Sequence, residues 1–278
     1  MSEPTVLIRP SAVALAASLL ALAACQREEA VAPAPAPAPP PPVVVIGPSP
    51  VLDRNGLLQA VDQAASDYAA GRAAADKTFA GRRFLIRQAF GCGLPVDSSD
   101  PGIEEGTAGL VKGGRTSDLE LTLTPADWTP ALPSDNGSAA WEAAEGFWLP
   151  WPWLRADGCP RPVTQPIGVD RAPTETAPAA QQSVGLAAVF DTDGSRLGRR
   201  KGRAYQFILR GEGQQAPVPD AGGYRLVLEG RMAAFTDGHA IRCRATQPEQ
   251  RPVCVAAVRL ERVAFEDSGG QTLVEWRS

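Results

Sequence analysis

Residues 253–265 read VCVAAVRLERVAF, and this run decides the fold. Thirteen residues with four Val and three Ala, and with no Gly or Pro, read as a long strand. Val258 and Leu260 fall on one face of a period-two strand, whereas Val263 and Phe265 fall on the other. One extra residue near Glu261-Arg262, a β-bulge, brings both pairs to the same side. The same period recurs in Arg83–Phe90, Leu119–Thr124, Ala204–Arg210 and Tyr224–Arg231, where Leu, Ile, Phe and Tyr alternate with charged or polar residues. Ile241–Ala245 and Leu273–Trp276 are shorter runs of the same kind. Together they predict a mainly β (α+β) domain: an antiparallel barrel or sandwich of about seven strands.

One helix precedes the strands. Between Asp53 and about Thr78, Leu57, Val61, Ala65 and Tyr68 recur at helical spacing, and Asp53 is placed to cap the start. Gly71 weakens the middle and Gly81 ends the region. The stretches 95–117, 129–146 and 155–183 read as unusually long loops.

Ahead of this domain, Ser11 to Ala24 is fourteen residues without a charge. That is shorter than the ~20 apolar residues a membrane-spanning helix needs. It has the length and small-residue ending of a signal peptide. The ending Leu22-Ala23-Ala24-Cys25 resembles the lipobox of bacterial lipoproteins: a large apolar residue, two small residues, then Cys. The resemblance covers residues 1–25 only. It implies cleavage before Cys25 and a lipid-modified Cys25 at the mature terminus. Among the enteric members of that family an Asp after the cysteine favours inner-membrane retention. Gln26 stands there, so the resemblance implies the outer membrane. Residues 25–50 are then a lipidated Cys and a Pro/Ala-rich linker. Its alternating Ala-Pro and Pro-Pro favour polyproline II, a semi-rigid spacer of roughly 3.1 Å per residue. A proline-rich ligand for a partner is the other use of such a segment. The expected division is 1–24 signal peptide, 25–50 linker and 51–278 a single disulfide-stapled domain with its helix at about 53–78.

Setting Cys25 aside leaves Cys92, Cys159, Cys243 and Cys254. An even number in an exported chain implies two disulfides, and four cysteines permit three pairings. Cys243 and Cys254 flank a polar loop between strand-like runs, which favours Cys243–Cys254 and hence Cys92–Cys159.

The net charge is −4 and the pI about 5.2, which gives no preference for nucleic acid. His239 is the single histidine, so with oxidised cysteines a zinc site lacks ligands, and no metal or cofactor is expected. Asp191–Ser195 starts like a calcium loop, but Arg196 and Gly202 stand where that loop needs Gly and Glu. Asp267-Ser268-Gly269-Gly270 reads as a hairpin turn, because His239 is too near in sequence for a trypsin-like site. Paired carboxylates, such as Glu142 with Glu145 or Asp191 with Asp193, are the remaining route to catalysis, that of a peptidoglycan- or glycan-acting hydrolase.

Two surface features invite a binding role. Arg196, Arg199, Arg200, Lys201 and Arg203 put five cations in eight positions, a solvated loop or a contact for anionic envelope material. Residues 147–154 read FWLPWPWL, where two prolines disfavour a central strand and leave an edge or covering segment. Trp148, Trp151 and Trp153 there either pack on the core, the preferred reading, or stack on a ligand such as a sugar ring. The expectation is a periplasm-facing, lipid-anchored envelope lipoprotein with a non-catalytic accessory or binding role. Its partners would be the membrane through its lipid, and peptidoglycan or another envelope component. Mass spectrometry of the mature protein should find an acylated terminus at Cys25, and a thiol assay on the denatured, unreduced chain should find no free cysteine. An unmodified terminus elsewhere would overturn the lipobox reading.

Overall fold

A computed structural model describes residues 50–72, 76–97, 103–115, 118–129, 141–150, 158–159, 184–191, 196–199, 203–212, 215, 217–219 and 222–278. The signal peptide, Cys25, the linker, Trp151, Trp153, Asp193, Arg200 and Lys201 lie outside the described residues. All described residues fall within one unit, Pro48–Ser278.

Helix α1 (Arg54–Ala69) starts at Asp53, whose carboxylate accepts from the Gly56 N–H at 2.7 Å. Leu57, Leu58, Val61, Ala64 and Ala65 form its buried face. The helix is shorter than the expected 53–78. Gly71 adopts φ +63°, the left-handed conformation that stops a helix, and the Arg72 N–H closes back on the Asp67 carbonyl at 2.9 Å. A separate 3-10 turn follows at Asp76–Phe79. Tyr68, assigned by spacing to the buried face, is 46% exposed, and its hydroxyl accepts from the Ala245 N–H at 3.2 Å.

Eleven strands are present among the described residues, in chain order β1 (Arg83–Phe90), β2 (Ala108–Lys112), β3 (Leu119–Leu123), β4 (Ala126–Asp127), β5 (Ala143–Leu149), β6 (Val184–Phe190), β7 (Tyr205–Leu209), β8 (Tyr224–Met232), β9 (Ile241–Arg244), β10 (Val253–Glu266) and β11 (Thr272–Arg277). Seven of them are the runs read from periodicity. The other four, β2, β4, β5 and β6, fall in or beside segments read as loops or covering structure. The larger sheet has the order β1-β8-β10-β6-β5-β4, with β9 and β11 also paired to β10; the smaller is β2-β3-β7. The arrangement is an α+β sandwich and not a closed barrel: α1 and both sheets contribute to one core. Among the described strands one pair departs from the antiparallel expectation, since β6 runs parallel to β10 from Cys254↔Val184 to Val258↔Ala188.

The fourteen-residue β10 is the axis. Its register with β8 shifts between Leu260↔Gly230 and Arg262↔Glu229, so Glu261 is the extra residue. This bulge delivers Val258 and Leu260, then Val263 and Phe265, to the same core. Each such side chain contributes about 1.5–3 kcal/mol on burial. Phe265 also meets Phe90 and Trp276, both at 5.5 Å between ring centres. Both halves of β10 are stapled or closed locally. Cys243–Cys254 joins directly opposed residues of β9 and β10, and Cys92–Cys159 closes a span of 67 residues. Asp267–Gly270 forms the β10–β11 hairpin, where Asp267 accepts from the Gln271 N–H at 2.8 Å.

Gly230 is the residue this bulge cannot replace. A Cβ at that position would sit 2.0 Å from the Arg259 carbonyl oxygen, on backbone that has no room to yield. Gly230→Ala should therefore destabilise the domain by more than about 2 kcal/mol in denaturant unfolding. An unchanged midpoint would show that β8 and β10 are not held this closely.

Candidate functional site

The outer face of the larger sheet, opposite the main core, changes character along β10. Near its start the upward-facing residues are small: Ala144, Gly146, Gly185, Ala187 and Ala257. Their size has a direct cause. Trp128, just after β4, lies on this floor, and a Cβ on Gly146 or Gly185 would come within 2.2 Å or 2.4 Å of its ring atoms. Trp148 packs edge-on against Trp128 with ring centres 4.8 Å apart. Phe235, from the β8–β9 connection, stacks beside Trp141 at 5.7 Å. Ala144, Val189, Ala233, Phe235 and Ala257 thus make a second, smaller apolar cluster on this side.

A trough of about 750 Å³ opens here, lined by Tyr68, Trp128, Trp148, Phe235, Ala187, Val253 and Val255 on the apolar side and by Arg242 and Arg244. That is within the ~300–1,000 Å³ range of small-molecule sites. β9 supplies both arginines: Arg242 stands opposite Val255 and Arg244 opposite Val253. Arg242 is held in place, its Nε donating to Asp237 at 3.0 Å and its guanidinium lying 4.5 Å over the Phe235 ring. Burial pushes the Asp237 carboxyl up, but the His239 N–H and the Arg242 guanidinium outweigh it and hold it below the ordinary carboxylate value. Arg244 is exposed and has no ion-pair partner among the described residues.

The basic loop read from the sequence does something else. Arg199 turns inward to Glu145 at 2.6 Å, and both side chains are buried. Its guanidinium lies 3.4 Å over the Tyr205 ring and also donates to the Arg203 carbonyl. Burial raises the Tyr205 hydroxyl well above the usual phenol value. Arg196 bonds Glu142 at 3.3 Å and covers Phe190 at 5.2 Å. Two of the five expected anion contacts are therefore engaged by glutamates, Arg203 is exposed, and Arg200 and Lys201 are not described. The same contacts occupy Glu142 and Glu145 as a pair, and Arg259 engages Asp191. Among the described residues no group of three or more His, Cys, Asp or Glu is placed to hold a metal ion.

Of the expected aromatic contacts, Trp148 is half-buried on the trough wall. It belongs to β5, an inner strand between β4 and β6, and not to an edge: the strand ends at Leu149, just before Pro150. Trp128, Phe235, Arg242, Arg244 and Tyr68 were not foreseen as a group. The one available signal was Arg242 and Arg244 alternating with Cys243 on a short strand.

Fold and site define an α+β sandwich with an aromatic-walled, arginine-rimmed trough on the outer face of its larger sheet. No family model, curated protein or solved structure matches the chain.

The buried Glu145–Arg199 pair ties the loop before β7 to β5. Removing one partner strands the other charge in the interior, so Arg199→Ala should cost about 3–5 kcal/mol of stability. Arg259→Ala, which breaks a solvent-exposed pair, should cost about 1 kcal/mol or less. Equal, small losses in the two variants would refute the burial argument.

Proposed function

We propose that this chain is a lipid-anchored protein of the bacterial cell envelope, periplasm-facing at the outer membrane. Its domain binds an envelope component and catalyses no reaction. The anchor rests on Leu22–Cys25 and on the Pro/Ala-rich linker that follows. Two disulfides in the domain agree with an oxidising compartment. Several acyl chains at about 0.8 kcal/mol per buried methylene would make the attachment effectively permanent.

The binding role is carried by one observation: the trough has aromatic walls and two arginines but, among the described residues, no convergent acid–base pair. Asp237, the carboxylate beside it, is held by Arg242 at 3.0 Å. A hydrolase of the paired-carboxylate kind needs one protonated and one ionised group facing the same bond. Glu142, Glu145 and Asp191 each face an arginine instead.

The test uses the full chain carrying Cys25→Ser, so that the lipid does not itself hold it to membranes. It should co-sediment with isolated envelope fragments, and Trp128→Ala should weaken retention by roughly tenfold or more, as loss of a central aromatic does. Arg199→Lys should leave it intact. Retention that is indifferent to Trp128, or release of soluble sugar fragments that stops in Glu145→Gln, would overturn the reading.

A further inference from the structure

The chemistry of the trough specifies its ligand more narrowly than "an envelope component". We infer that it takes a single-chain anionic amphiphile, a hydrocarbon body ending in a carboxylate or phosphate. This inference rests on the binding reading above.

The floor and walls are carbon. Ala187, Val253 and Val255 form the base, with Trp128, Trp148 and Phe235 beside them. Val253 is 40% exposed, a large aliphatic side chain left open on a strand whose other face is core. The polar groups are few and grouped at one side. Arg242 and Arg244 project from the same face of β9, two residues apart, so that they flank one head group and do not line a long polar strip. Arg242 is pre-positioned by Asp237 and Phe235. Arg244 keeps its charge uncompensated by any described residue, which leaves a net positive end facing an apolar body. Guanidinium groups bind carboxylate and phosphate through directed, charge-assisted hydrogen bonds.

The same inventory disfavours two other occupants. A sugar ring brings several hydroxyls, each costly to bury without a partner. The Tyr68 hydroxyl accepts from the Ala245 N–H at 3.2 Å, which leaves it one donor, and the floor formed by Val253, Val255 and Ala187 has no polar side chain to serve the rest of a ring. An extended peptide needs partners for its backbone, and the floor strands β6 and β10 have none to offer, since each is already paired on both sides here. A methylene chain asks for nothing but apolar contact.

The experiment uses the full chain carrying Cys25→Ser and a diazirine-bearing long-chain fatty acid kept below its micellar concentration. Photolabelling should fall on segments carrying Trp128, Trp148 or Val253–Val255. Laurate should compete, and dodecyl maltoside, with the same tail and a neutral head, should need at least roughly tenfold more. Arg244→Ala should weaken labelling by about tenfold and Arg244→Lys should restore most of it, with circular dichroism unchanged in both. Labelling scattered over the chain, or indifferent to Arg244, would overturn the inference. So would competition by glucuronic acid or by a short peptide in place of laurate. In those cases retention on envelope fragments that still depends on Trp128 would leave the binding reading standing and remove only the ligand class.

Discussion

The backbone of β10 hydrogen-bonds to four other strands, and the domain is assembled on those bonds. β6 and β9 flank its first half, β8 and β11 its second. The N–H and C=O of Ala257 both bond to the connection between β8 and β9, at 2.9 Å and 2.8 Å. β8 and β9 therefore follow one another along the same edge. A strand this long twists, and its side chains would rotate away from a single core. The bulge at Glu261 adds bend and restores phase, so that Cys254, Ala256, Val258, Leu260, Val263 and Phe265 all face α1 and the smaller sheet. Without it the second half of β10 would turn Val263 and Phe265 to solvent and bury its charges.

The bulge also divides the outer face into two chemistries. Beyond it, Arg83–Glu229, Arg87–Glu266, Arg231–Glu261 and Arg262–Glu275 form a lattice of ion pairs at 2.8–3.2 Å. Glu266 and Arg262 are largely buried, whereas the more exposed of these pairs, Arg83–Glu229 and Arg231–Glu261, contribute little stability each, about 0–1 kcal/mol. Their effect is to keep that half of the sheet solvated and its edge strand β1 unattractive to further strands. Before the bulge the face is small and apolar, and it is covered by Trp128, Trp141 and Phe235. One sheet thus carries a charged half and an aromatic half, and the trough lies in the second.

That division explains what could be read from the sequence. β1 and β8 alternate visibly because one face is core and the other is the ion-pair lattice. The bulge was legible for the same reason, as a slip in alternation between Leu260 and Val263. β5 (AAEGFWL) and β6 (VGLAAVF) are buried almost throughout, β6 at every position, so neither has a polar face to set the period. β6 also pairs in parallel with β10, an arrangement in which both faces are covered and alternation disappears. The glycines and alanines of these strands look like weak strand formers until Trp128 is placed on top of them. The candidate site was hidden by the same cause: its walls come from residues distant in sequence that meet over a floor with no signal of its own. The arginine loop misled in the opposite sense. A run of like charges reads as solvent-exposed, yet Arg199 has Glu145 waiting 54 residues away, on the core-facing side of a strand that periodicity did not find.

The disulfide at Cys243–Cys254 bears on the site more than on the core. β9 has four residues and, among the described strands, pairs with β10 alone, a length that by itself holds poorly at a sheet edge. Yet β9 carries Arg242 and Arg244, the cations on which the rim of the trough depends. The bond joins the residue between the two arginines to its opposite number on the central strand. It closes a span of only 11 residues, so in the chain-entropy account its stabilisation is at the smaller end, below that of the 67-residue span closed by Cys92–Cys159. Its larger effect is positional. It fixes the register in which each arginine stands beside a floor valine, and holds it where the backbone ladder is too short to do so. The rim is then a property of the oxidised protein, which connects the geometry of the trough to the compartment implied at the other end of the chain.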